Sequence, residues 1–241
     1  MLLGVGSGST GLSDMFQNAF HFGGSGGTSI SKLETKVSKE PNNAIAWRDL
    51  ATAYETKQRT QDAVGALERY TSLRPKDTDA LSELASQYAT LAGTYATDYQ
   101  NAQAAAATAS PTAALAPAAN TTFGKIFNDP NGLQDPIGTV AAQAAQARAQ
   151  TAYTNYTSAQ QSAETTLQRL AKQEPKDVTV QYQLGQAASN AGDVKTAVKA
   201  YERFLKLSPN DVDAPQVKQL LKQAKAQIAA SAASSSKSKG K

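Results

Sequence analysis

His21 is the only histidine in the chain, and there is no cysteine. A Ser–His or Cys–His nucleophile needs a base poised beside it, and a structural zinc site needs imidazole or thiolate ligands. His21 lies in Phe20-His21-Phe22-Gly23-Gly24, a glycine-rich stretch outside any periodic segment, so neither chemistry can be assembled in a folded part. Carboxylates are the remaining acid–base groups. Most, such as Glu68 and Glu202, stand among Lys and Arg on what read as solvated helix faces, and no buried pair at a catalytic spacing is expected. The glycines from Gly4 to Gly11 and from Gly23 to Gly27 have the density of a dinucleotide loop. They lack its context, a strand before and a helix after within a βαβ unit. Asn-x-Thr triplets at Asn120 and Asn155 satisfy the glycosylation pattern, but the second falls within a helical run and neither is read as a site. The reading is therefore non-enzymatic, with no catalytic residue, cofactor or metal.

Charge narrows the partners. The formal net charge is +4, and Lys237, Lys239 and Lys241 in the Ser-rich end supply three of these charges. The remainder is close to neutral and offers no basic face for a phosphate backbone, which argues against nucleic acid. Met1-Leu2-Leu3-Gly4-Val5 is too short to span a bilayer or to form a signal-peptide core.

Surface is what remains, and helices must position it. Trp47, Leu50 and Tyr54 recur at helical spacing, as do Ala63, Val64, Leu67 and Tyr70 on a second run that Pro75 ends. Neither short helix can bury its stripe alone, so copies must stack. Pro41, Pro75, Pro175 and Pro209 each follow a helical run, at spacings of 34, 100 and 34 residues. Upstream of three of them stand Leu67-Glu68-Arg69-Tyr70, Leu167-Gln168-Arg169-Leu170 and Tyr201-Glu202-Arg203-Phe204.

With these residues the chain resembles the tetratricopeptide repeat family, whose unit of about 34 residues has a W-x2-L-G-x2-Y, A-x3-F, P pattern. Trp47, Leu50-Ala51, Tyr54, Ala63, Leu67 and Pro75 carry the first copy, and Leu184-Gly185, Ala197, Tyr201 and Pro209 the last. The last has Gln181 in place of Trp and Ala188 in place of Tyr. A middle copy begins at Leu81, Leu84-Ala85 and Tyr88 and is completed only at Ala163, Leu167 and Pro175. The resemblance covers residues 44–91 and about 158–211.

The resemblance implies an all-α helix–turn–helix solenoid of three repeats in a bacterial protein. The expected organisation is a disordered Gly/Ser-rich leader over 1–28, an N-terminal capping helix over 29–43 and a first repeat over 44–77. A second repeat over 78–177 is split by an elongated antiparallel helical hairpin at about 92–157. A third repeat follows over 178–211, then a capping helix over 212–230 and a disordered basic tail over 231–241. Trp47 should pack between the first helices and the N-terminal cap. First helices of such repeats line a concave groove, which here would offer Ile45, Arg48, Thr52 and Glu55, then Tyr182, Gln186, Ser189 and Asn190. A protein or peptide is the implied partner. The second candidate contact is the hairpin tip, where Phe123, Ile126 and Phe127 break an otherwise polar loop. As written the chain reads as cytoplasmic. Bacterial relatives often carry a membrane helix followed by a Gly/Ser linker, so a membrane-tethered assembly factor or structural spacer stands as the alternative, with a native start upstream of Met1.

Local signals place the elements. Ser31 and Glu34 offer a capping box for the first helix, with Thr28 as a second possible cap. Asp135-Pro136 combines an N-cap with proline at the first helical position. The two long helices should keep the register set where Tyr88 faces Ala163, which brings Tyr99 beside Ala152 and Tyr153.

Overall fold

The computed structural model describes residues 29–109, 121, 122, 125 and 136–238, with side chains for all of these except 136–138 and 233–238. Every regular element among them is an α-helix. The chain divides into two compact units, Met1–Arg74 and Pro75–Lys241.

In the first unit, α1 (Ile30–Lys39) packs on α2 (Ala44–Thr56), and α2 on α3 (Thr60–Leu73). Leu33 and Val37 are the buried edge of α1; Ala46, Leu50, Ala51 and Tyr54 of α2; Ala63, Val64 and Leu67 of α3. This is the three-and-four spacing of an amphipathic stripe. Asn43 caps α2 by accepting the Ala46 N–H at 3.1 Å. Gln58 turns the chain between α2 and α3 at φ 57°, in the left-handed region.

Two local expectations are corrected. The Ser31–Glu34 capping box does not form. Ser31 lies inside α1, Ser29 occupies the N-cap position without a side-chain cap bond, and the Glu34 carboxylate instead accepts the Tyr54 hydroxyl at 2.7 Å. Trp47 is half-buried rather than enclosed. Its indole N–H donates to the Pro41 carbonyl at 3.0 Å, which holds the ring at the edge of the unit, where the same carbonyl also takes Arg69 Nη2 at 3.2 Å.

In the second unit, α4 (Thr78–Thr108), α5 (Pro136–Gln173), α6 (Val178–Ala191), α7 (Val194–Leu207) and α8 (Ala214–Ser238) pack each on the next. Asp77, Asp177 and Asp193 cap α4, α6 and α7, each accepting the backbone N–H three residues on. One core joins Leu81 and Ala85 of α4, Leu167 and Leu170 of α5, Val180, Leu184 and Ala187 of α6, and Ala200 of α7. A second joins Ala188, Ala197, Tyr201, Phe204, Ala214 and Val217. Gly185 is required at this second core, because a Cβ there would land against the ring of Tyr201.

Helices α4 and α5, of 31 and 38 residues, run antiparallel. The amide of Gln173, at the end of α5, donates to the carbonyl of Pro75, just before α4, at 2.7 Å. Farther along, the Tyr99 and Tyr153 rings lie 5.6 Å apart between centroids, as the register predicts. Leu81, Leu84 and Tyr88 of α4 with Leu167 and Leu170 of α5 are buried toward the base of the seam, and Ala102 of α4 with Ala145, Ala149 and Ala152 of α5 farther out, so the large buried side chains gather at the base.

The last helix also differs from expectation. A disordered tail was expected from Ser231, yet α8 continues to Ser238. Between Gln216 and Lys239 there is no Pro or Gly, and alanine favours propagation once a packed segment has nucleated the helix. The leader over 1–28 lies outside the described residues, and of the tail 239–241 does too.

Candidate functional site

The candidate surface in the first unit is one row of α2. Ile45, Arg48, Thr52 and Glu55 follow at steps of three and four, opposite the stripe that buries Leu50 and Tyr54. Ile45, at the head of the row, is 67 % exposed, one of few large apolar side chains in solvent. Arg48 is half-buried, and its guanidinium lies 5.7 Å from the centre of the Tyr70 ring on α3. Cation–π attraction of this kind orients a guanidinium. The Thr52 hydroxyl donates back to the Arg48 carbonyl at 3.1 Å, so it serves its own helix. Glu55 is half-buried.

In the second unit the corresponding row is on α6. Gln186 and Asn190 are exposed. Ser189 donates to the Gly185 carbonyl at 2.9 Å and lies 3.2 Å from the Tyr201 hydroxyl, which commits it to the α6–α7 contact. Tyr182 is half-buried, with its ring 5.7 Å from that of Phe204. It belongs mainly to packing between α6 and α7. Phe123, Ile126 and Phe127 lie outside the described residues.

A second polar cluster in the first unit is structural. The Tyr54 hydroxyl is held by Glu34, and the Arg59 guanidinium covers the Tyr54 ring at 4.6 Å while pairing with Asp62 at 2.7 Å. Burial, then the hydrogen bond to Glu34, pushes the Tyr54 phenol up to about 12.

One buried carboxylate was missed from the sequence. Glu164, on α5, is 7 % exposed, and Asp193 stands in the turn before α7. Burial, then the Asp193 charge, raises the affinity of Glu164 for its proton. The hydroxyl and backbone N–H of Thr196 hold Asp193 below its ordinary value. Asp193 is spent on capping α7 through Thr196. A sequence signal existed in Gln168, whose amide donates to Glu164 one turn earlier at 2.7 Å. Among the described residues no three His, Cys, Asp or Glu side chains converge as a metal site. Nor is any helix among them long and apolar enough to cross a membrane.

The sequence model of the tetratricopeptide repeat family matches residues 29–80 and 141–212, together about half of the chain. The match leaves 81–140 uncovered, including most of α4 and the start of α5. No curated protein matches the chain.

Proposed function

Because this chain belongs to the tetratricopeptide repeat family, we propose that it works without catalysis, as an adaptor that holds a protein or peptide partner on its first-helix rows. Tetratricopeptide repeats generally mediate protein–protein interaction, since stacked helix pairs leave one face of each first helix free of the core. In this reading Ile45, Arg48 and Glu55 on α2, with Gln186 and Asn190 on α6, meet the partner. Tyr182 and Thr52 support them from behind. The pair α4–α5 is an extension of the middle repeat that lengthens the scaffold.

The observation that carries this reading is the α2 row. An exposed apolar side chain, Ile45, precedes an arginine whose guanidinium is braced on an aromatic ring. An apolar anchor beside an oriented charge is the usual composition of an interface hot spot. Arginine fixed before binding loses less rotamer freedom on contact.

The test is affinity capture with the full chain, followed by mass spectrometry, repeated with Ile45→Glu and with Gln186→Glu. Both positions are exposed, so folding should be retained. Loss of about tenfold or more in affinity for the captured partner is expected from Ile45→Glu. A partner kept by both variants and lost when residues 92–157 are removed would assign binding to the long helix pair instead.

A further inference from the structure

Charge is divided unevenly along the chain. Residues 194–241 hold ten Lys or Arg against three Asp or Glu, a net +7, whereas residues 1–193 hold fourteen against seventeen, a net −3. Over residues 214–241 there are six lysines and no Asp or Glu. Helical spacing gathers part of this charge. Lys195, Lys199 and Lys206 of α7 follow at steps of four and seven, and Lys218, Lys222 and Lys225 of α8 at steps of four and three, so each set forms one row. All six are exposed. Glu202 stands in the α7 row between Lys199 and Lys206, and its Oε1 lies 2.7 Å from Lys225 Nζ. That bridge joins the two rows into one basic face, which the small net charge of the whole chain concealed.

We infer that this face binds an acidic segment of a protein partner. Three observations select carboxylates over the phosphates of a nucleic acid or a lipid. The face already holds one carboxylate, that of Glu202, against Lys225. Its rows are built of lysine alone. Arg203, the arginine of α7, donates instead to the Pro175 carbonyl at 3.2 Å, so no planar fork is offered to a phosphate. Tyr201 and Phe204 of α7 are buried, which leaves the rows without a ring on which a base could stack. The apolar stripe of α8, with Val217, Leu220 and Leu221, packs into the core rather than facing a lipid surface.

The dimensions fit a short extended segment. At about 1.5 Å per residue the α7 row is about 16 Å long and the α8 row about 10 Å. An extended chain advances about 3.3 Å per residue with alternate side chains on one side. About five residues therefore cover the longer row and set about three carboxylates against lysines. Each exposed pair contributes little by itself, so several carboxylates must engage together, and salt weakens the contact. The net positive charge of this part of the chain also draws an acidic segment in from a distance. The face is separate from the proposed rows on α2 and α6 and does not depend on them.

The experiment measures fluorescence anisotropy of a labelled oligoglutamate of about ten residues against the full chain at low salt. Lys199→Gln combined with Lys222→Gln removes two exposed charges and leaves the Glu202 bridge in place. This variant should bind about tenfold more weakly. Lys172→Gln combined with Lys176→Gln removes the same charge at exposed positions elsewhere in the second unit and should leave binding nearly unchanged. Glu202→Gln frees Lys225 and should tighten binding, a gain that no folding defect can imitate. Equal losses from the two lysine pairs would reduce the effect to net charge and overturn the face, as would a Glu202→Gln chain that binds no better than wild type. Duplex DNA or phosphatidylserine vesicles that bind the wild type, and lose it in Lys199→Gln with Lys222→Gln, while oligoglutamate does not bind, would overturn the assignment to an acidic protein segment.

Discussion

Replacing Gly185 with alanine should weaken the second unit, although alanine is the better helix former. A Cβ at this position would sit 2.5 Å from Tyr201 Cδ1 and 2.9 Å from Cζ, besides touching Cε1. Relaxed carbon contacts lie near 3.5–4.0 Å, so the ring must retreat. It has nowhere open to go, because Tyr201 is 1 % exposed and its neighbours Phe204 and Val217 are buried with it. Overpacking of this kind costs about 1–3 kcal/mol, and a clash with a closed-in ring belongs at the upper end. Alanine returns about 1 kcal/mol of helix propensity. The net loss is then about 2 kcal/mol, or a fall of about 4–8 °C in Tm. Gly93→Ala is the control. Gly93 is also helical, yet a Cβ there meets nothing within 4 Å, so alanine should stabilise by up to about 1 kcal/mol. Equilibrium urea unfolding read by far-ultraviolet circular dichroism measures both. A Gly185→Ala midpoint at or above the wild-type one would refute the packing argument.

Gln58→Gly should stabilise the first unit by about 1 kcal/mol, since Gln58 holds φ 57° against the steric preference of an L-residue; a urea midpoint that falls would show that the Gln58 side chain outweighs the strain. Trp47→Phe removes the indole donor to the Pro41 carbonyl and should lose about 0.5–1.5 kcal/mol, far less than emptying a closed core site, as the same urea series would read. Ultraviolet titration of the tyrosines should contain one phenol near 12 that is absent from Tyr54→Phe. Because this value is raised, the stabilisation it carries is present below pH 10 and is lost as pH rises through 12. Hydrogen exchange should be slower at Tyr88 than at Ala105, since the large buried side chains gather at the base of the α4–α5 seam; the reverse order would overturn the gradient.

What could be read in advance was what repeats. Prolines at a fixed period, and stripes such as Leu81, Leu84 and Tyr88, announce helix pairs because proline ends a helix and apolar spacing of three and four defines its inner face. The α4–α5 register could be read too, since antiparallel packing carries one known pair outward to Tyr99 and Tyr153. Glu164 could not. Helix α5 is covered on one side by α4 and on another by α6, so it buries two adjacent rows, and the second row holds Glu164 and Thr166 beside the apolar one. Binary pattern registers only the first row. Trp47 misled for a related reason. Its spacing fits the inner stripe, but a donor on the ring finds a partner at the rim, in the Pro41 carbonyl. The candidate rows on α2 and α6 followed from the repeat resemblance, which marks first-helix positions facing away from the core, and that placement alone did not show that Tyr182 packs its ring against Phe204.

The proline carbonyls held by later side chains imply an order of assembly. Pro41 is held by Arg69 and Pro175 by Arg203, each from 28 residues on, whereas Pro75 is held by Gln173 from 98 residues on. The first two closures lie within reach of a short stretch of chain and can form as soon as their helix pair meets. The third waits for the whole excursion out along α4 and back along α5. For a flexible chain the longer closure adds about 1 kcal/mol of entropy to the barrier. Growth of the fold should therefore start from two separate seeds, α2–α3 and α6–α7, with the base of the long pair closing last. An exposed chain stays longest in the segment between Pro75 and Gln173, and there a protease added during refolding should cut.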